Sequence, residues 1–179
     1  AFSKSLVQNR SSSTSSRGVN CAIWLPEGKV LIGAERLRRF NSDGSLDASF
    51  RAISGPYGEE PVTIYALARQ ADGRILVSYS NGGFSSSHVV RLQSNGSLDS
   101  SFSLKAESFV EDIVIQPDGK IILAGRFTTI GGVARNAIAR FNSNGTIDSG
   151  FAPLISHSEG YYSGPDDATQ IKNKFADFN

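Results

Sequence analysis

Residues 110–151 read VEDIVIQPDGKIILAGRFTTIGGVARNAIARFNSNGTIDSGF. An apolar run leads into Asp118-Gly119, and a second apolar run, 121–124, follows at once. An Asp-Gly pair between two β-branched runs predicts a tight hairpin, because glycine takes a positive φ without a Cβ clash. The runs are nearly continuous rather than alternating. Both faces of these strands should therefore be buried, as in a sheet sandwiched between neighbouring sheets. A third strand over 137–142 alternates more and should lie further out. It ends in a second turn at Asn144-Gly145, followed by Ile147, Asp148 and Phe151, a stretch that fits a short fourth strand.

The same pattern occurs twice more. VNCAIWLPEGKVLIGA is followed by RLRRFNSDGSLDASF, and IYALARQADGRILVSY by VVRLQSNGSLDSSF. The units span 19–50, 64–102 and 110–151. Their first turn glycines, Gly28, Gly73 and Gly119, lie 45 and 46 residues apart; the second, Gly44, Gly96 and Gly145, lie 52 and 49 apart. A period near fifty points to a propeller blade or a related β-array unit. Variation is confined to the loop between the second and third strands and to the links between units, as in a scaffold that presents loops.

Each unit carries an arginine on its third strand (Arg39, Arg91, Arg140), an aspartate after the second turn (Asp47, Asp99, Asp148) and a closing phenylalanine (Phe50, Phe102, Phe151). The arginine should pair with the aspartate and pin the turn. The phenylalanine, at a fixed offset from the turn glycine, should fill one buried pocket per unit. Trp24 sits in an apolar strand at the position of Arg69 and Ile115 and reads as core.

QPDGKIILAGRF and ARFNSNGTIDSGF resemble the delta-60 repeat, a unit of bacterial surface and secreted proteins. The likeness covers roughly 19–151. It implies a β-propeller and an extracellular or bacterial cell-surface setting, with no common activity and no catalytic residues. The fold class expected is all-β: a propeller-like array of three blade repeats, partial or completed by oligomerisation.

The flanks read differently. Segment 1–18 should be flexible and resembles, at Ala1-Phe2, the end of a preceding repeat. The tail 152–179 predicts a short helix with Ile171, Phe175 and Phe178 on one face, either docking on a neighbour or packing on its own domain. The absence of methionine suits a chain that was processed, trimmed or cut from a longer one. Propellers close with four to eight blades. Three units should therefore need another copy, an adjacent domain or flanking sequence to cover the end blades.

Composition narrows the function classes. Hydrophobic residues make up 39%, enough for a core, while 18 basic against 17 acidic residues leave a net charge of +1 and no basic run for nucleic acid. Nothing is long and apolar enough to span a bilayer as a helix. One cysteine, Cys21, forms no intrachain disulfide and anchors no cysteine-rich metal site. The second turns echo a calcium loop, but an arginine holds the place of its first aspartate and opposes a dication. Asn9, Asn95 and Asn144 are formal glycosylation acceptors, and the turn accounts for the last two. His88 and His157 accompany no catalytic signature.

The expectation is a non-enzymatic structural or adhesive scaffold, without cofactor or metal. It would assemble with copies or adjacent domains through protein–protein contacts. The alternative is a lectin-like module binding glycans, with Tyr57, Phe84, Tyr161 and Tyr162 as candidate ligand or partner contacts in its loops.

Overall fold

The computed structural model describes residues 18–51, 63–81 and 86–153. All regular structure there is β, apart from one 3-10 turn at Pro26–Gly28. The first unit forms β1 (Cys21–Trp24), β2 (Val30–Gly33) and β3 (Leu37–Phe40), an antiparallel sheet in chain order. The second forms β4 (Thr63–Arg69), β5 (Ile75–Ser80), β6 (Ser87–Leu92) and β7 (Leu98–Ala106), a four-stranded meander. The third contributes β8 (Val110–Ile115), β9 (Ile121–Gly125), β10 (Thr129–Ile130), β11 (Val133–Ala134) and β12 (Ile138–Phe141). Strands β8, β9 and β12 pair as the third blade. The innermost strands adjoin, β1 beside β4 and β4 beside β8, so the blades are arrayed around one side of a propeller axis.

The turns form as the glycines require. Gly73 and Gly119 take φ of +89° and +82°, and each closes a three-residue loop by donating its N–H to the carbonyl three residues back, on Gln70 and Gln116. The second turns repeat this at Gly44, Gly96 and Gly145. In the first unit, Glu27 also takes a positive φ, so the hairpin tightens around the 3-10 turn.

Two apolar layers hold the blades together. One joins Ile23, Leu31, Leu37 and Phe50 of the first blade to Ile64, Ile75, Val77 and Leu92 of the second. The other joins Leu76, Val89 and Phe102 of the second to Ile113, Ile121, Leu123 and Phe141 of the third. Strands β5 and β9 are buried at every residue, as near-continuous apolar runs require.

Three expectations need correction. The fourth strand is regular only as β7; in the first and third units it shrinks to single bridges, Phe40 to Leu46 and Phe141 to Ile147. The long loop of the third unit is itself a hairpin, β10–β11, turned by Gly131 and Gly132 at positive φ. It pairs Ile130 with Ala106 and so extends the second blade, strapping the third unit to it. Trp24 is not core: it is 53% exposed, because it ends β1 on the face of the first blade that no other blade covers. The flanks 1–17 and 154–179, including the predicted helix, lie outside the described residues.

Candidate functional site

The recurring arginines and aspartates meet as expected. Arg39 Nε lies 2.9 Å from Asp47 Oδ2, Arg91 Nε 2.8 Å from Asp99 Oδ2, and Arg140 Nε 2.9 Å from Asp148 Oδ2. A second cation reaches each carboxylate from the residue just before β2, β5 or β9: Lys29 at 2.8 Å, Arg74 at 3.3 Å and Lys120 at 3.0 Å. The other oxygen, Oδ1, accepts backbone N–H bonds from Ser49, Ser101 or Gly150. The serine hydroxyls of the first two add a further bond each.

These contacts set the charge. Lys29 and then Ser49 hold the Asp47 carboxyl well below the usual range; Ser101 leads for Asp99, and Lys120 for Asp148. Each carboxylate is thus ionised, with both oxygens engaged by the protein's own donors. Such a group clasps structure, with most of its acceptor sites taken by the protein's own donors. The turn residue ahead of each glycine is equally committed. Asp43, Asn95 and Asn144 accept from the N–H and hydroxyl of Ser45, Ser97 and Thr146.

The guanidinium also stacks over the closing phenylalanine, at 4.6 Å for Arg39 and Phe50, 4.9 Å for Arg91 and Phe102, and 4.4 Å for Arg140 and Phe151. It then reaches into the next blade. Arg39 Nη1 donates to the Ser94 carbonyl at 2.7 Å, and Arg91 Nη1 to the Ser143 carbonyl at 2.8 Å. Gln70 Nε2 also donates to the Ser143 carbonyl, at 3.4 Å. Phe50 and Phe102 lie against Gly96 and Gly145, where a Cβ would stand 2.9 and 2.8 Å from the ring. One device therefore does two jobs: it fixes its own turn and clasps the second turn of the following blade.

The device is filled twice and open once. Among the described residues, no partner meets Nη1 or Nη2 of Arg140. Its side chain is 23% exposed against 4% for Arg91, and Phe151 is partly exposed where Phe102 is buried. On the same face Val114 is 37% exposed, while its counterparts Ile23 and Ala68 are buried. At the other end, Val30, Ile32 and Phe40 are partly exposed, and their counterparts Ile75, Val77 and Leu92 are buried. Gly44 has nothing within 4 Å of where a Cβ would stand.

Several participants were not singled out from the sequence: the turn serines Ser42, Ser94 and Ser143, the basic residue after each first glycine, and Gln70. Their signal was present, since a serine and a Lys or Arg recur at those positions in all three units. The loop aromatics Tyr57, Phe84, Tyr161 and Tyr162 lie outside the described residues, as does His157. His88 stacks on Tyr79 at 5.4 Å, and burial, then Lys105, lowers its pKa.

The family model described as "Domain of unknown function (DUF5122) beta-propeller" matches residues 25–50, 70–102 and 116–151, more than half of the chain. The chain belongs to this β-propeller family. Each matched segment begins just after the innermost strand of a blade and ends at its closing phenylalanine, so it contains that unit's arginine, aspartate and phenylalanine. No curated protein matches the chain.

Proposed function

We propose that the chain is a non-enzymatic scaffold domain of a bacterial surface or secreted protein. It works by assembling with further blades, from copies of itself or from adjacent domains. The observation that supports this is the paired exposure at the two end blades. Positions buried at both internal boundaries are partly open on the outer faces of the first and third blades. Apolar area left in water forfeits about 25 cal/mol per Å². Contiguous apolar faces of this kind are where proteins associate. The recurring polar groups are consumed by structural contacts, which favours a scaffold over a catalyst.

Light scattering on the full chain across a dilution series tests the reading. Mass rising with concentration toward a defined multimer is the expected result. A monomer at every concentration that retains a glycan on an array would instead favour the lectin-like alternative.

A further inference from the structure

The inter-blade clasp has two complementary halves, and among the described residues each half also occurs once ungripped. The socket half sits on the third blade: Arg140 stacked on Phe151, with Gln116 at the position of Gln70. Gln70 is buried and helps grip Ser143 through Nε2, while Gln116 is only partly buried and, among the described residues, no carbonyl of a following blade meets its Nε2. The plug half sits on the first blade: the turn 41–45, with Ser42 and Gly44 where Ser94-Gly96 and Ser143-Gly145 are gripped. This turn has the same backbone bonds as the two gripped turns, with Gly44 donating to Asn41 and Asn41 to Ser45. It is therefore already in the shape that the socket accepts.

We propose that the socket of one chain takes the first-blade turn of a second copy, joining the two head to tail. Arg140 Nη1 donates to the Ser42 carbonyl of the second copy, and Phe151 lies against its Gly44. The apolar faces follow. Val114 on the third blade opposes the layer of Val30, Ile32 and Phe40, as Leu76 opposes Ile121 and Leu123 across the boundary between the second and third blades. Such a joint continues a contact that the chain makes twice within itself. Among the described residues, turn 41–45 matches both gripped turns and is itself ungripped. A head-to-tail contact either closes into a ring or runs on as a fibre. Two copies supply six blades, within the range in which propellers close. This proposal rests on the assembly reading above and adds its residues and polarity.

The test uses full-length variants, one of the plug and one of the socket. Gly44→Asn is one, since nothing lies within 4 Å of its Cβ position and asparagine accepts a positive φ. Its side chain would stand where Phe151 of the other copy must lie. Arg140→Glu with Phe151→Ala is the other and disables the socket. Sedimentation velocity across a dilution series reads association, and thermal melts check that each variant folds.

Each variant alone should associate more than about tenfold more weakly than the parent, a change of about 1.4 kcal/mol. Mixed together, the two should form a one-to-one heterodimer that grows no further, since one intact socket meets one intact plug. If both folded variants assemble like the parent, the clasp is wrong while the assembly reading stands. If the parent itself stays monomeric at every concentration, both fall. If the mixture fails to pair although each variant has lost association, the two halves do not meet and the head-to-tail geometry is overturned. Should Gly44→Asn fail to fold, Ser42→Pro is not a substitute, because it alters the turn itself. The socket variant mixed with the parent then decides, since it should cap parent chains and lower their mean mass.

Discussion

Arg91 Nη1 donates to the Ser143 carbonyl at 2.8 Å, across 52 residues and the boundary between the second and third blades. The same guanidinium holds Asp99 through Nε at 2.8 Å and lies 4.9 Å from the Phe102 ring. One side chain thus ties a turn, an aromatic pocket and a neighbouring blade. Arg91→Ala leaves Asp99 and the Ser143 carbonyl without it. Bonds to charged groups contribute about 1.5–3 kcal/mol each, so a melting temperature several degrees lower is expected. Arg140→Ala in the isolated chain should change it far less, because that arginine is more exposed and, among the described residues, grips no following blade. Equal losses in paired differential-scanning melts would show that the contact between blades contributes nothing.

The phenylalanines rank the same way. Phe102 is 2% exposed and lies against Gly145 of the next blade. Its truncation to alanine should cost about 3–5 kcal/mol by urea unfolding. Phe151, partly exposed, should cost clearly less in a monomer. A Phe102→Ala chain with the parent's unfolding midpoint would refute the equivalence of the pockets.

Acid should loosen the clasps. The carboxyls of Asp47, Asp99 and Asp148 are all lowered in the fold. A depressed carboxyl stabilises the native state above its unfolded pKa and loses that contribution as pH falls through the folded one. Stability should therefore be flat above about pH 5 and fall below about pH 4, the usual aspartate value. Ser101 is the leading cause for Asp99, so Ser101→Ala should move the acid midpoint upward. An unchanged midpoint in an acid titration followed by circular dichroism would remove the serine from the account.

Much of this was legible in the sequence, and the failures share a cause. The turns, the arginine–aspartate pairs and the repeat boundaries depend on residues within one unit, where spacing is informative. The grip of Arg91 on Ser143 joins separate units and ends on a carbonyl, which no side-chain pattern announces. The β10–β11 hairpin read as a swollen loop, because Gly131-Gly132 marks a turn without saying which sheet edge the hairpin joins. Trp24 read as core because apolar strand residues usually are; its exposure depends on the outer face of the first blade, which sequence spacing within the unit does not report.

Cys21 gives an independent probe of the first boundary. It is fully buried in the layer between the first two blades, and burial pushes its thiol up to about 12. The thiolate is the reacting form, so a maleimide at neutral pH should label the native chain only through opening of that boundary. Labelling should speed up in Arg39→Ala, which loses the bond to the Ser94 carbonyl. Rapid labelling of the folded parent would contradict the burial.

Two turn glycines separate backbone conformation from close approach. Gly145 and Gly44 have similar φ, +92° and +83°, and close the same kind of three-residue loop. Around Gly145 a Cβ would stand 2.8 Å from Phe102 Cδ2, whereas around Gly44 nothing lies within 4 Å. Asparagine tolerates the left-handed region better than other side chains, so Gly→Asn adds a similar conformational penalty at both sites. What differs is the ring that must move. Overpacking of this kind costs about 1–3 kcal/mol. Gly145→Asn should therefore lose that much more stability than Gly44→Asn in urea unfolding of the monomer at low concentration. At concentrations where copies associate, the order should narrow, because Gly44→Asn then also forfeits the contact with the neighbouring chain. Equal losses at low concentration would mean that Phe102 yields freely, and the turn glycines would then be read as conformational alone.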